Sequence, residues 1–169
     1  MGSEIFRTRD VVVFVKSKTI PVMIDPTLAA GGWPGGQGVQ WVDDPNFDTF
    51  KVTYSAGRYG GFLLWGSDES SDQYISATQS QPAYKYGVMA IGPWVVSTTT
   101  FETYTLASRL AGPLVKNVYT PGEKLRFSLR GYFTPEKEDP SLPDLFVARI
   151  IQAPNPNINN NYLEIQSMI

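Results

Sequence analysis

The run KLRFSLR, Lys124 to Arg130, alternates apolar and polar residues without a break. Leu125, Phe127 and Leu129 fall on one side, and Lys124, Arg126, Ser128 and Arg130 on the other. A period of two suits a strand with one buried face, whereas a helix would scatter the same residues around its axis. A register slip of one residue would bury the cations, so the pattern also fixes the face: Leu125, Phe127 and Leu129 inward, Lys124, Arg126 and Arg130 outward. TFKVTYS, residues 49 to 55, repeats the rule with Phe50, Val52 and Tyr54 against Lys51 and Thr53.

Further strand signals follow along the chain. Val11 to Lys16 is apolar and β-branched, and GGFLLWG ends in the acidic turn SDESSD. YGVMAIGPWVVSTTTFETYTL holds at least two strands, interrupted at Gly92-Pro93. LFVARIIQA stops at Pro154, and NYLEIQSMI alternates weakly as a last strand. Helical periodicity is nearly absent, although DPTLAA suits a single helical turn. Between these pieces lie AAGGWPGGQGVQW, QSQPAYKYG and PNPNINNN, where Gly, Pro and Asn supply the backbone angles of turns. Short strands joined by such loops predict an all-β chain, a small antiparallel barrel or sandwich with long Gly/Pro-rich loops and an extended N-terminal segment. Residues 1–30 form an N-terminal arm or edge strands and 31–169 the barrel or sandwich, unless 1–169 is one domain. The region 119–154 is expected to be a hairpin-like pair in the core.

A chain of 169 residues can bury roughly 70% of its unfolded surface, and its 42% hydrophobic content argues against disorder. It has no cysteine and no histidine. Disulfides, thiolate metal sites and imidazole-dependent mechanisms are therefore excluded. The formal net charge of −2 gives no surplus for phosphate, so neither nucleic acid nor an anionic membrane is expected as a partner. The apolar run Val11 to Val15 is too short for a signal core or a membrane span.

Carboxylate pairs, Ser-Lys dyads and oxygen-ligand metals remain. The acidic candidates are Asp43 with Asp44, the Asp68, Glu69 and Asp72 cluster, and Glu136, Glu138 and Asp139. A glycosidase needs two carboxylates across a cleft. All three groups lie beside Pro, Ser or Gly, where a solvated turn is the ordinary explanation. SDESSD lacks the glycine and terminal glutamate of a calcium loop. GGWPGGQG lacks the Gly-Lys-Ser/Thr of a phosphate loop and a following helix, so it is expected to be a mobile loop anchored by Trp33. No catalytic residue, metal ligand or cofactor is assigned. Trp33, Trp41, Tyr59 and Tyr84 lie near loops and could stack on a sugar, whereas Trp65 and Trp94 lie in strands and are expected in the core. The basic row Lys124, Arg126 and Arg130 suits either a solvated sheet face or an acidic partner.

YTPGEKLRFSLRGYFT, a short polar loop, LFVARIIQAP, an Asn-rich stretch and YLEIQSMI together resemble tailed-phage capsid decoration (cement) proteins. In that family a Tyr-x-Pro-Gly turn leads into an alternating strand that ends in Gly-aromatic/Leu-Thr. A hydrophobic strand closing on Ala-Pro or a similar pair follows, and then a final Leu/Ile-containing strand. The matching positions here are Tyr119, Pro121, Gly122, Leu125, Gly131, Phe133, Thr134, Val147, Ile150, Ala153, Pro154, Leu163 and Ile165, so the resemblance spans about residues 110 to 169. It implies a virion protein without catalysis, made in the host cytoplasm and placed on the outer capsid surface. There it would stabilise contacts between major capsid protein subunits as a trimer, or else a dimer. Expected contact residues are Ile5, Phe6, Arg7, Arg9, Trp33 and Trp41, with the N-terminal arm and the GGWPGGQG loop reaching the shell. The alternative is a carbohydrate-binding β-sandwich of a phage receptor-binding or tail protein, with sugar binding through Trp33 or Trp41.

Overall fold

Five strands close into a small barrel. They are β3 (Lys18–Ile24), β4 (Gly38–Val42), β5 (Lys51–Tyr54), β6 (Gly61–Leu63) and β7 (Lys85–Ile91), in the order β3-β5-β4-β6-β7. The computed structural model describes residues 6–7, 10–13, 18–42, 51–54, 60–67, 85–141 and 145–168. β7 returns to β3 along a seven-residue antiparallel ladder, from Lys18 opposite Ile91 to Ile24 opposite Lys85. The expected wholly antiparallel arrangement needs one correction. β3 and β5 run parallel, with Met23 beside Lys51 and Ile24 beside Val52. α1 (Pro26–Gly31) and β4 carry the chain across between them, which frees β5 to lie alongside β3.

The other seven strands form a sheet. They are β1 (Phe6–Arg7), β2 (Val11–Val13), β8 (Val95–Thr98), β9 (Lys124–Phe127), β10 (Phe133–Thr134), β11 (Ala148–Gln152) and β12 (Leu163–Ser167). Their order is β1-β2-β8-β12-β11-β9-β10. The break foreseen at Gly92-Pro93 is the point where the chain leaves the barrel after β7 and enters the sheet as β8. Gly92 has φ of +81°, and Pro93 has no N–H to add to a ladder. The fold is all-β, and the helical elements of the described residues include α1, the short α2 (Leu106–Leu110) and a 3-10 turn at Pro156–Ile158. Among the described residues no helix is long and apolar enough to cross a membrane.

Alternation builds two apolar clusters that share a wall. Val22, Ile24, Val39, Val52, Leu63 and Met89 fill the barrel, plugged by Leu28, Ala29 and Trp33. Their neighbours Phe62, Leu64 and Ala90 point out of the barrel wall into the second cluster. There they meet Val11, Val13, Val96, Leu125, Phe127, Ala148, Ile150, Leu163 and Ile165 from the inner face of the sheet. Trp94 sits at this junction, edge-on to Phe62 at 5.1 Å and to Phe133 at 6.1 Å. Its predicted core position is confirmed.

The KLRFSLR strand is shorter than its pattern. Leu125 and Phe127 are buried as expected, but Leu129 is 44% exposed. β9 ends at Phe127 and the chain turns at once, with the Gly131 N–H donating to the Ser128 carbonyl at 2.9 Å. Gly131 takes φ of +84°, and a Cβ there would lie 2.2 Å from the Gln37 side chain, so only glycine fits. The turn returns as β10, with Phe133 opposite Phe127. β11 then pairs with the other edge of β9, Ala148 opposite Leu125, which gives the expected pairing within 119–154.

GGWPGGQG departs furthest from its expectation. Trp33 is 4% exposed and its indole N–H donates to the Trp65 carbonyl at 2.9 Å. Beyond it, Gly35 to Gly38 is the buried seam between barrel and sheet. The Gly38 N–H donates to the Gly131 carbonyl at 2.7 Å, and the Gln37 amide donates to the Arg130 carbonyl at 2.6 Å. The glycines serve close approach here: a Cβ on Gly38 would stand 2.5 Å from the Phe127 ring. The loop is therefore internal and does not reach outward.

Candidate interaction surface

The chain from Phe101 to Tyr119 leaves the sheet, forms a projection and returns. It starts against β10, where the Glu102 N–H donates to the Phe133 carbonyl at 2.8 Å. Tyr104 bridges to Lys116, the Thr105 N–H donates to the Val115 carbonyl at 2.8 Å, and the Asn117 N–H donates to the Thr103 carbonyl at 2.9 Å. These bonds clamp the two legs. Between them Thr105 caps α2, its hydroxyl oxygen accepting from the Ser108 N–H at 3.3 Å. The Glu136 carboxylate accepts the otherwise orphaned Leu106 N–H at 2.9 Å.

A buried ionic network fixes the base of this projection. The Glu102 side chain is fully buried and accepts a bidentate pair from Arg130, Nε lying 2.9 and 3.0 Å from its two oxygens. Arg109 of α2 reaches Glu102 at 3.5 Å and pairs with Glu138, and its Nε donates to the Tyr104 carbonyl at 3.1 Å. Glu138 also accepts the Leu129 N–H at 3.1 Å. Asn117 donates to the Glu102 and Tyr104 carbonyls, both at 3.1 Å, and the Tyr119 hydroxyl donates to the Glu102 carbonyl. Burial, reinforced by nearby Glu102, pushes the Tyr119 phenol well above its ordinary value. The bond to Glu102 raises the Arg130 guanidinium further still.

One expectation changes here. Glu138, placed in a solvated acidic turn, is buried and paired, because Arg109 and the turn at Leu129 converge on it. Arg130 is exposed as expected, its side chain 53% accessible, and its guanidinium bends back to Glu102 because β9 ends before it. Asp139 does lie at the surface. Its carboxyl is held below the usual range, first by the Ser141 N–H at 2.9 Å and then by the Ser141 hydroxyl at 2.7 Å. The central member, Glu102, was missed. Its signal was available: it is the only charged residue between Lys85 and Arg109. A single carboxylate in so apolar a stretch needs a buried partner.

What the network holds out is apolar. Leu110 is 78% exposed and Val118 75%, with Leu114 and Val115 also exposed and Leu129 nearby on the turn that Glu138 holds. Every residue from Leu110 to Lys116 is exposed. Single exposed aliphatics are common, but four along nine residues on a clamped projection mark a contact surface. Beside it lies a groove of about 450 Å³ lined by Phe101, Lys116, Tyr119, Pro154 and Asn161 among others. The Phe101 and Tyr119 rings meet there edge-to-face, 72° apart, so they offer no flat stacking platform.

The remaining predicted site residues are dispersed. Pro121 and Gly122 make the turn into β9, with Gly122 at φ of +88°. Phe133 and Thr134 are buried in β10, and Pro154 lines the groove. Phe6 and Arg7 form β1, the edge of the sheet, opposite Val13 and Val12. Trp41, near the end of β4, is 42% exposed, whereas Trp33 is ruled out as a surface contact by its place as the barrel plug. Ile5, Arg9, Asp43, Asp44, the Asp68, Glu69 and Asp72 cluster, Tyr59 and Tyr84 lie outside the described residues. Among the described residues no acidic group is assembled to hold a metal, and the oxygens of Glu102 and Glu138 face guanidinium and amide donors. No protein-family model matches the chain, and no curated protein matches it.

Proposed function

We propose that the chain is a virion structural protein that decorates the outer surface of a tailed-phage capsid and stabilises contacts between major capsid protein subunits. The observation that carries an interaction role is the projection from Leu110 to Val118, aliphatic, exposed and fixed at its base by buried charge. The resemblance of residues 110 to 169 to capsid decoration proteins supplies the particle. Copies related by a rotation axis bring their projections together into one apolar cluster, and a trimer is the expected assembly. The closed oligomer then engages several capsid subunits at once, so modest contacts add through avidity. No reaction is assigned: among the described residues the buried carboxylates Glu102 and Glu138 are both paired with guanidinium groups.

Sedimentation and attachment test this together. The wild-type chain should sediment as a trimer and saturate empty capsid shells. A variant carrying Leu110→Ser, Leu114→Ser and Val118→Ser should be monomeric and folded, with an unchanged circular dichroism spectrum and lost attachment. A wild-type chain that stays monomeric and leaves shells bare would remove the proposal. Specific capture on a glycan array, lost on Tyr119→Ala, would favour the sugar-binding alternative. The angled rings of the groove speak against that alternative.

A further inference from the structure

The outer face of the sheet brings two cations, Lys124 and Arg149, directly opposite each other. Leu125 and Phe127 of β9 and Ala148 and Ile150 of β11 point into the core, so alternation places Lys124, Arg126 and Arg149 on the opposite face. The β9–β11 register sets Arg149 directly opposite Lys124. Like charges so placed destabilise a strand pair. Neither residue makes an ion pair among the described residues. On the next strand Arg149 faces Gln166, while the acidic Glu164 faces Gln152 instead.

The cations are also arranged around apolar surface. The Phe146 ring lies 5.2 Å from the Lys124 ammonium and 4.2 Å from the Arg126 guanidinium. Past Arg149, the register shift between Ile150 and Gln152 leaves Ile151 outside the ladder and 42% exposed. Apolar and cationic positions thus alternate across the face as Phe146, then Lys124 with Arg149, then Ile151. Same-side residues of an extended chain repeat at about 7 Å, which matches the outward repeat along a strand.

We infer that this face docks an extended, acidic segment of a partner protein in which carboxylates alternate with aliphatic residues. Its carboxylates bridge Lys124 and Arg149, and its aliphatic side chains cover Phe146 and Ile151. Charge complementarity selects the occupant, since Lys124 and Arg149 stand opposite each other with no ion pair among the described residues. The patch is two strands wide and bounded by Gln166 and Glu164, which disfavours a nucleic-acid track. The inference does not rest on the capsid assignment, because it concerns a different face and a different observation.

The probe is a fluorescein-labelled synthetic peptide of about nine alternating Glu and Val residues, long enough to span the face. Fluorescence anisotropy with the full chain should show saturable binding that weakens as salt is raised. Lys124→Glu with Arg149→Glu should weaken it about tenfold or more, and Ile151→Ser by a smaller factor. A Lys-Val peptide of equal length should not bind. Lys124→Gln and Arg149→Gln, tested singly, cover the case in which the double variant melts early. No binding, equal binding of the Lys-Val peptide, tighter binding of duplex DNA, or indifference to all these substitutions would each overturn the inference.

Discussion

Glu102 shows how one residue sets the behaviour of a surface some distance away. Its side chain is fully buried, yet both of its cationic partners reach solvent, Arg130 more than Arg109. Breaking a buried pair leaves an uncompensated charge, which typically costs several kcal/mol. The solvent access of both guanidiniums places Glu102→Gln near the low end, at about 3 kcal/mol. We expect a lower melting temperature by calorimetry and, before global unfolding, faster amide exchange in residues 103 to 118. Unchanged exchange there would mean that the network does not hold the projection. The sequence marks the residue as a lone charge but not its partners. Alternation marks which side chains face inward, but it says nothing of a carboxylate whose partners come from residues 109 and 130.

Among the elements, the Trp33 loop was the least legible and the strands the most. Strands β2, β5, β7, β8, β9, β11 and β12 fall within runs recognised by alternation or by β-branched content. A period of two is a local property, so sequence carries it. Glycine and proline mark turns, but they equally permit close packing, and sequence alone cannot separate a loop in solvent from a seam. Five glycines around one tryptophan suggested mobility, whereas Gly36 and Gly38 are small because Thr98, Thr100 and Phe127 press against them. The consequence is measurable. Trp33→Ala empties the plug of the barrel and should cost about 3–5 kcal/mol. Thermal denaturation should show a drop of roughly 10 °C, given about 2–4 °C per kcal/mol for a chain of this size. A melting temperature within experimental error of wild type would contradict the buried assignment.

Across the whole molecule, the sheet and the barrel divide the labour. The barrel supplies a rigid wall through Phe62, Leu64 and Ala90, and the sheet supplies the exposed faces. The apolar projection springs from the β10 edge, where Phe101 bridges to Phe133, and the cationic face lies on β9 and β11. All-β architecture and the C-terminal strand pairs were legible because each follows from neighbours in sequence. The closure of β3 on β7, the parallel step to β5 and the split of one core into two were not. Each depends on contacts between residues far apart in the chain, whose patterns are compatible with several topologies.

The shared wall also sets an order of events during synthesis. Residues 18 to 91 contain every barrel strand, while β9 to β12 come from residues 124 to 167. Synthesis runs N-terminal first at about 5–20 residues per second, so the barrel strands emerge seconds before the sheet strands that cover them. Until then Phe62, Leu64 and Ala90 face water on the outside of the wall. β2 and β8 lack the β12 neighbour that completes the centre of their sheet. The nascent chain therefore passes through a window of apolar exposure in which chaperone capture and misassociation compete with completion. Stalled ribosome complexes carrying residues 1 to 120, followed by a flexible linker long enough to clear the exit tunnel, should be more protease-sensitive at β2 and β8 than at β3 and β7. Equal protection of all four strands at that length would show that the barrel does not form ahead of the sheet.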